Sequence, residues 1–281
     1  MLQFLLVALA SVATNAQTAE KSLADHLFEG RTWRNENWDA VVNTFGLVNF
    51  KWTTTLPTNT VINETAYLAE SKNALLMKSR DRDLREEGYD KSTALIDFDT
   101  GMIAFRTKLP TTNTLVASNG MSRRERRRKL RKLLAGKEQA CFIINTSITL
   151  AEVKEELQNR VNSSPVPTGT PKKFVAEEKN RVSSAELAKL NGKIAKFCSR
   201  AAPHNNNFRL VKDSTATTHA DNLVVMGQFD STQNATSIPY EIHVEQSIID
   251  ALQKLATTNT ESPAAAGEAP VGVLPEAAEE V

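Results

Sequence analysis

The tripeptide Asp99-Thr100-Gly101 stands inside the apolar stretch ALIDFDTGMIAFR, residues 94–106, and has the form in which an aspartic protease presents its catalytic carboxylate. That chemistry requires two carboxylates sharing one proton, since their mutual repulsion is what separates their titrations. The chain holds a single Asp-Thr-Gly, so a protease would have to be a symmetric dimer with a small residue packing at its axis. Met102 occupies that place. The simpler reading is a tight turn, with Asp and Gly joining two β-type runs as a hairpin.

Other chemistry has less to stand on. His26, His204, His219 and His243 are scattered without ligand spacing, so no metal site and no cofactor is expected. No Gly-x-Ser-x-Gly elbow, phosphate loop or dinucleotide fingerprint is present. No catalytic residue is assigned, and the chain reads as a non-enzyme.

The bulk composition agrees with a folded domain bearing extensions. The 281 residues are 41% hydrophobic, and 34 basic against 33 acidic residues leave a net charge of +1. The charge is uneven: residues 123–137 are strongly basic, while the last 26 residues hold five acids and no base. The opening MLQFLLVALASVATNAQ is too short for a bilayer span and fits a signal peptide, residues 1–16, ending in Thr-Asn-Ala, with Ser-Val-Ala at Ala13 as the other cleavage point and an uncleaved anchor as the alternative. Secretion is therefore expected, with no membrane span and no nucleic-acid partner. In an oxidising compartment the two cysteines, Cys141 and Cys198, are expected to form a disulfide, the alternative being two buried thiols. Asn63, Asn145, Asn162 and Asn234 head glycosylation sequons.

Along the chain, TVINETAYLAESKNALLMK is strand-like, the Asp99 hairpin follows, and ACFIINTSI is a further strand. Thr149 and Glu152 form a capping box ahead of Leu150, Val153, Leu157 and Val161, which recur at helical spacing. NSSPVPTGTPKK reads as a loop. Ser183 and Glu186 form a second capping box ahead of AELAKLNGKIAKFCSR, where Leu187, Leu190, Ile194 and Phe197 share one face. The predicted fold is α+β: an antiparallel sheet, two helices, and a disulfide from strand to helix. Residues 17–59 read as an N-terminal extension, 211–255 as a β-prone region, and 256–281 as a disordered acidic tail.

This order of features resembles a BRICHOS domain over residues 60–210, and the secreted gastrokine-like type most. Asp97, Gly101 and Arg106 match the spacing of that family's hairpin, and ELAKLNGKIAKFCSR matches its second helix and cysteine. The resemblance implies a sheet of about five strands flanked by two helices, pairing of Cys141 with Cys198, and Asp97 as the family's pH-sensing or structural acid. It also implies chaperone-like binding of β-prone segments or unfolded proteins, including segments of the same precursor. NLVVMGQF and IPYEIHVEQSII are the candidate clients within the chain.

Between the hairpin and Cys141 the chain carries a basic insertion, residues 107–139. Eight cations fall between Arg123 and Lys132, interrupted by Glu125 as the sole acid. Arg124, Arg126 and Arg127 fit the Arg-x-Arg-Arg pattern of secretory convertases, giving the alternative of a pro-protein that releases a peptide. The same run could instead bind anionic glycans, or be a solvated charged segment.

Overall fold

A computed structural model describes residues 47–109, 139–190, 192–199, 201, 206–212, 222–228 and 236–258. The signal peptide, the basic run with Arg124, Arg126 and Arg127, the sequon at Asn234 and the tail beyond residue 258 lie outside the described residues.

The protein is α+β. Six strands form an antiparallel meander: β1 (Val48–Thr55), β2 (Val61–Ala69), β3 (Ala74–Ser79), β4 (Ser92–Asp97), β5 (Met102–Lys108) and β6 (Gln139–Asn145). Two short strands extend this sheet in parallel, β7 (Val166–Pro167) on β1 and β9 (Asn207–Arg209) on β6, making eight strands in all. A second sheet has the order β10-β8-β12-β11, formed by β8 (Lys172–Ala176), β10 (Val211–Lys212), β11 (Asn222–Gln228) and β12 (Ile238–Val244). The helices among the described residues are α1 (Leu150–Asn162), α2 (Ser184–Lys189), α3 (Gly192–Cys198) and α4 (Gln246–Thr258).

Both faces of the large sheet carry packed layers, one of them over only part of its area. Every residue of β4 is buried, as expected of a strand packed on two sides. On one face Phe50, Leu75, Ile96, Phe105 and Phe142 pack against Val153 and Leu157 of α1, the second sheet, and Ile248, Ile249 and Leu252 of α4. On the other face Leu76, Leu95, Ala104 and Ile143 meet Leu187 of α2 and Ile194 and Phe197 of α3.

Several expectations need correction. The sheet is mixed rather than antiparallel and has eight strands rather than about five, because short edge strands pair with β1 and β6. The expected long second helix is two, since Leu190 is extended at ψ 164° and Gly192 opens a new helix. Gly costs about 1 kcal/mol relative to Ala inside a helix, which favours a break there. The Pro- and Gly-rich loop contains β7, and β8 follows directly. β1 falls in the stretch read as the N-terminal extension, and β11 and β12 form a layer on the core. Both capping boxes are present, Thr149 with Glu152 and Ser183 with Glu186.

Candidate functional site

The Asp99 stretch is a hairpin turn. Asp97 ends β4, pairs with Met102 at the start of β5, and the chain reverses between them. Gly101 adopts φ +61°, and a Cβ there would stand 2.8 Å from the Thr146 carbonyl oxygen, so both conformation and space select glycine. Its own carbonyl accepts the Thr146 N–H at 2.8 Å. Asp97 is fully buried. Its carboxylate accepts from Thr100 Oγ1 at 2.8 Å, the Asp99 N–H at 3.3 Å and Lys193 Nζ at 2.7 Å.

Lys193, in the first turn of α3, also bonds the carboxylate of exposed Asp99. Burial works against the charge of Lys193, but its bonds to Asp97 and Asp99 outweigh that cost and hold its pKa above the ordinary lysine value. The Lys193 hydrogen bond holds Asp99 below the usual carboxylate range. The far end of α3 is tied more firmly. Cys198 is bonded to Cys141 of β6, with their Cα atoms 5.4 Å apart. Arg106 of β5 lies 4.2 Å over the Phe197 ring and donates Nη1 to the Phe197 carbonyl at 3.2 Å. The three residues of the expected hairpin signature thus act at three places: Asp97 on the start of α3, Gly101 in the turn, Arg106 on the end of α3.

The opposite face carries the β-prone segments. β12 lies parallel to β8, with Tyr240 opposite Lys172 and Val244 opposite Ala176, and β11 pairs antiparallel with β12. The Tyr240 ring sits between Phe105 of the large sheet at 5.3 Å and Phe174 of β8 at 4.8 Å. At the other margin Asp90 bridges to β11, donating its N–H to the Val224 carbonyl at 2.6 Å.

A buried polar cluster anchors this layer. Glu64 of β2 is 1% exposed. Its carboxylate accepts from Trp52 Nε1 at 3.2 Å, Thr54 Oγ1 at 2.6 Å, Ser79 Oγ at 2.7 Å and Ser237 Oγ at 2.6 Å. Nearby, fully buried Arg160 of α1 donates Nε to Glu156 at 3.1 Å and Nη2 to the Thr236 carbonyl at 2.6 Å. Burial lowers the pKa of Arg160, with the charges of Glu64 and Glu156 opposing. Glu64 and Arg160 therefore both hold residues 236–237, where the chain enters β12. Neither was singled out in the sequence, although Glu64 occupies an inward position between Ile62 and Ala66, and an acid there is itself a signal.

The sequon residues Asn63, Asn145 and Asn162 are exposed; Asn63 donates Nδ2 to Asp81 at 2.8 Å. His243 is buried on β12. Among the described residues no group of three His, Cys, Asp or Glu could hold a metal ion, and no helix is long and apolar enough to cross a membrane. No family model, curated protein or solved structure matches this chain.

Proposed function

We propose that this protein is a secreted, non-enzymatic binding module of the BRICHOS type, which holds β-prone segments as strands against one apolar sheet face. The observation that carries the reading is the seating of β11 and β12. NLVVMGQF and the first part of IPYEIHVEQSII, the segments expected from sequence to be clients, lie paired in a sheet whose inner residues pack on the large sheet, while the second segment passes into α4 at Gln246. Parallel addition of β12 to β8 supplies main-chain hydrogen bonds, and alternate side chains such as Tyr240 and Ile242 enter the core, which is the logic of strand capture. Helices on both faces and the bond between Cys141 and Cys198 support the family resemblance.

The test is fibril formation by a peptide of residues 236–245, followed by dye fluorescence with and without the purified full-length protein. A substoichiometric amount of protein should lengthen the lag. An unchanged lag, with the protein folded and oxidised, sinks the proposal.

A further inference from the structure

The large sheet carries a second feature on the face that also bears α2 and α3. Reading across the ladders, Lys51 of β1 lies opposite Thr65, Thr65 opposite Lys78, Lys78 opposite Thr93, and Thr93 opposite Arg106. Directly paired residues share a face, so these five stand in one row. Leu76 and Leu95, two residues from Lys78 and Thr93, belong to the core beneath α2 and α3, which fixes which face it is. The next row along brings Arg80, Lys91 and Lys108. Arg80 donates Nε and Nη2 to Thr93 Oγ1 at 3.1 and 2.7 Å, and Lys91 donates Nζ to the Arg80 carbonyl at 3.1 Å.

Six basic side chains are thus grouped over five strands, in a field roughly 19 Å by 7 Å from strand spacing and rise. Lys51 and Arg80 are exposed, Lys78, Lys91 and Lys108 half-buried, and Arg106 buried. Among the described residues of β1 to β6 the sole acid on this face is Asp97, which lies at the far end bound to Lys193. Just beyond β3, Asp81 accepts the Asn63 N–H at 2.7 Å and its Nδ2 at 2.8 Å. The sheet thus gathers like charge where ordinary surface design would intersperse both signs, and such a field attracts a polyanion.

We propose that this half of the sheet face binds a sulfated polysaccharide, through Lys51, Arg80 and Lys91 at the surface with Lys78 and Lys108 beside them. Charge complementarity selects an anionic chain. The geometry separates a glycan from an acidic peptide: an extended peptide gains its affinity at a sheet edge, where backbone groups await pairing. Here the ladders are already closed across β1 to β6, so side-chain cations are what the face presents. A chain carrying sulfates on both edges uses such a two-row field without needing backbone partners. The residues that form it are other than those of the basic run Arg123 to Lys132.

The experiment uses the full-length protein and a heparin octasaccharide as the probe, with affinity measured over a range of salt. Substituting Lys51→Ser, Arg80→Ser and Lys91→Ser together should weaken binding tenfold or more, roughly, at about 0.15 M salt, and make its salt dependence shallower. Native circular dichroism must accompany that result; Lys51→Glu alone, at an exposed strand position, should weaken binding several-fold and serves if the triple variant fails to fold. Unchanged affinity in either folded variant overturns the proposal. So does loss of binding only when Arg123 to Lys132 are neutralised, or equal affinity for a poly-glutamate peptide of the same charge.

Discussion

Arg106 lies directly opposite Cys141 in the β5–β6 ladder, and both residues grip the last turn of α3, one through Phe197 and the other through Cys198. The two devices fasten one helix end and should not act independently. Removing the disulfide, which closes a separation of 57 residues, should cost about 4 kcal/mol through the unfolded state. Arg106→Leu leaves the Phe197 carbonyl without this donor and should cost about 1–3 kcal/mol. Urea unfolding of both variants and of their combination should give a sum that departs from additivity by more than about 0.5 kcal/mol.

Asp97 and Lys193 fasten the other end of α3. Asp97→Asn removes the carboxylate from a paired, half-buried ammonium and should cost about 3 kcal/mol by chemical denaturation. Lys193→Met on that background should restore part of the loss, because no half-buried ammonium then lacks its Asp97 partner, while exposed Asp99 turns to solvent. An Asp97→Asn protein as stable as the parent refutes the pairing.

Lys78 gives a pH prediction of definite sign. Its ammonium lies 4.6 Å from the Tyr67 ring centroid, with Arg80, Lys51, Lys91 and Arg106 on the same face. Burial first, and the charge of Arg80 second, lower its pKa from 10.5 to about 7. Between those values the unfolded chain binds a proton that the folded chain does not, so stability rises with pH across that window. Lys78→Met should be more stable than the parent at pH 7 and should flatten the rise. Urea midpoints at pH 7, 8.5 and 10 test this, and a parent profile flat over that range contradicts it.

Glu64 should matter beyond its own strand. Glu64→Leu leaves donors from Trp52, Thr54, Ser79 and Ser237 without their acceptor, at a cost of about 3 kcal/mol or more. The loss should concentrate on β12, where amide exchange of residues 238–244 should quicken more than that of 92–97. Uniform quickening would show that Glu64 serves the whole core and does not anchor the second sheet.

What could be read from the sequence was local. The capping boxes of Thr149 and Ser183, the turn at Gly101 and the strand-like run TVINETAYLA depend on residues a few positions apart, and each appears where expected. The pairing of Cys141 with Cys198 followed from there being only two cysteines. What escaped was set by distant partners. β8 follows a stretch of Pro, Gly and Thr, and becomes a strand because β12 offers it a ladder from more than 60 residues away. β7 and β9 are too short to carry a period. Lys193 gave no local sign that it would meet Asp97, because a salt bridge between a turn and a helix across 96 positions is a product of packing.

Lys108 and Gln139 face each other as the last pair of the β5–β6 ladder, so the chain departs and returns at neighbouring points, with seven paired positions from Met102 to Lys108 joining the strands. The ladder should therefore hold the two strands together without covalent continuity between them. A single cut after Arg127 would give two polypeptides that stay zipped together edge to edge, co-eluting as one particle on a sizing column and parting in detergent even with the disulfide intact. Two separately expressed halves, ending and beginning between Lys108 and Gln139, should accordingly reassemble when mixed.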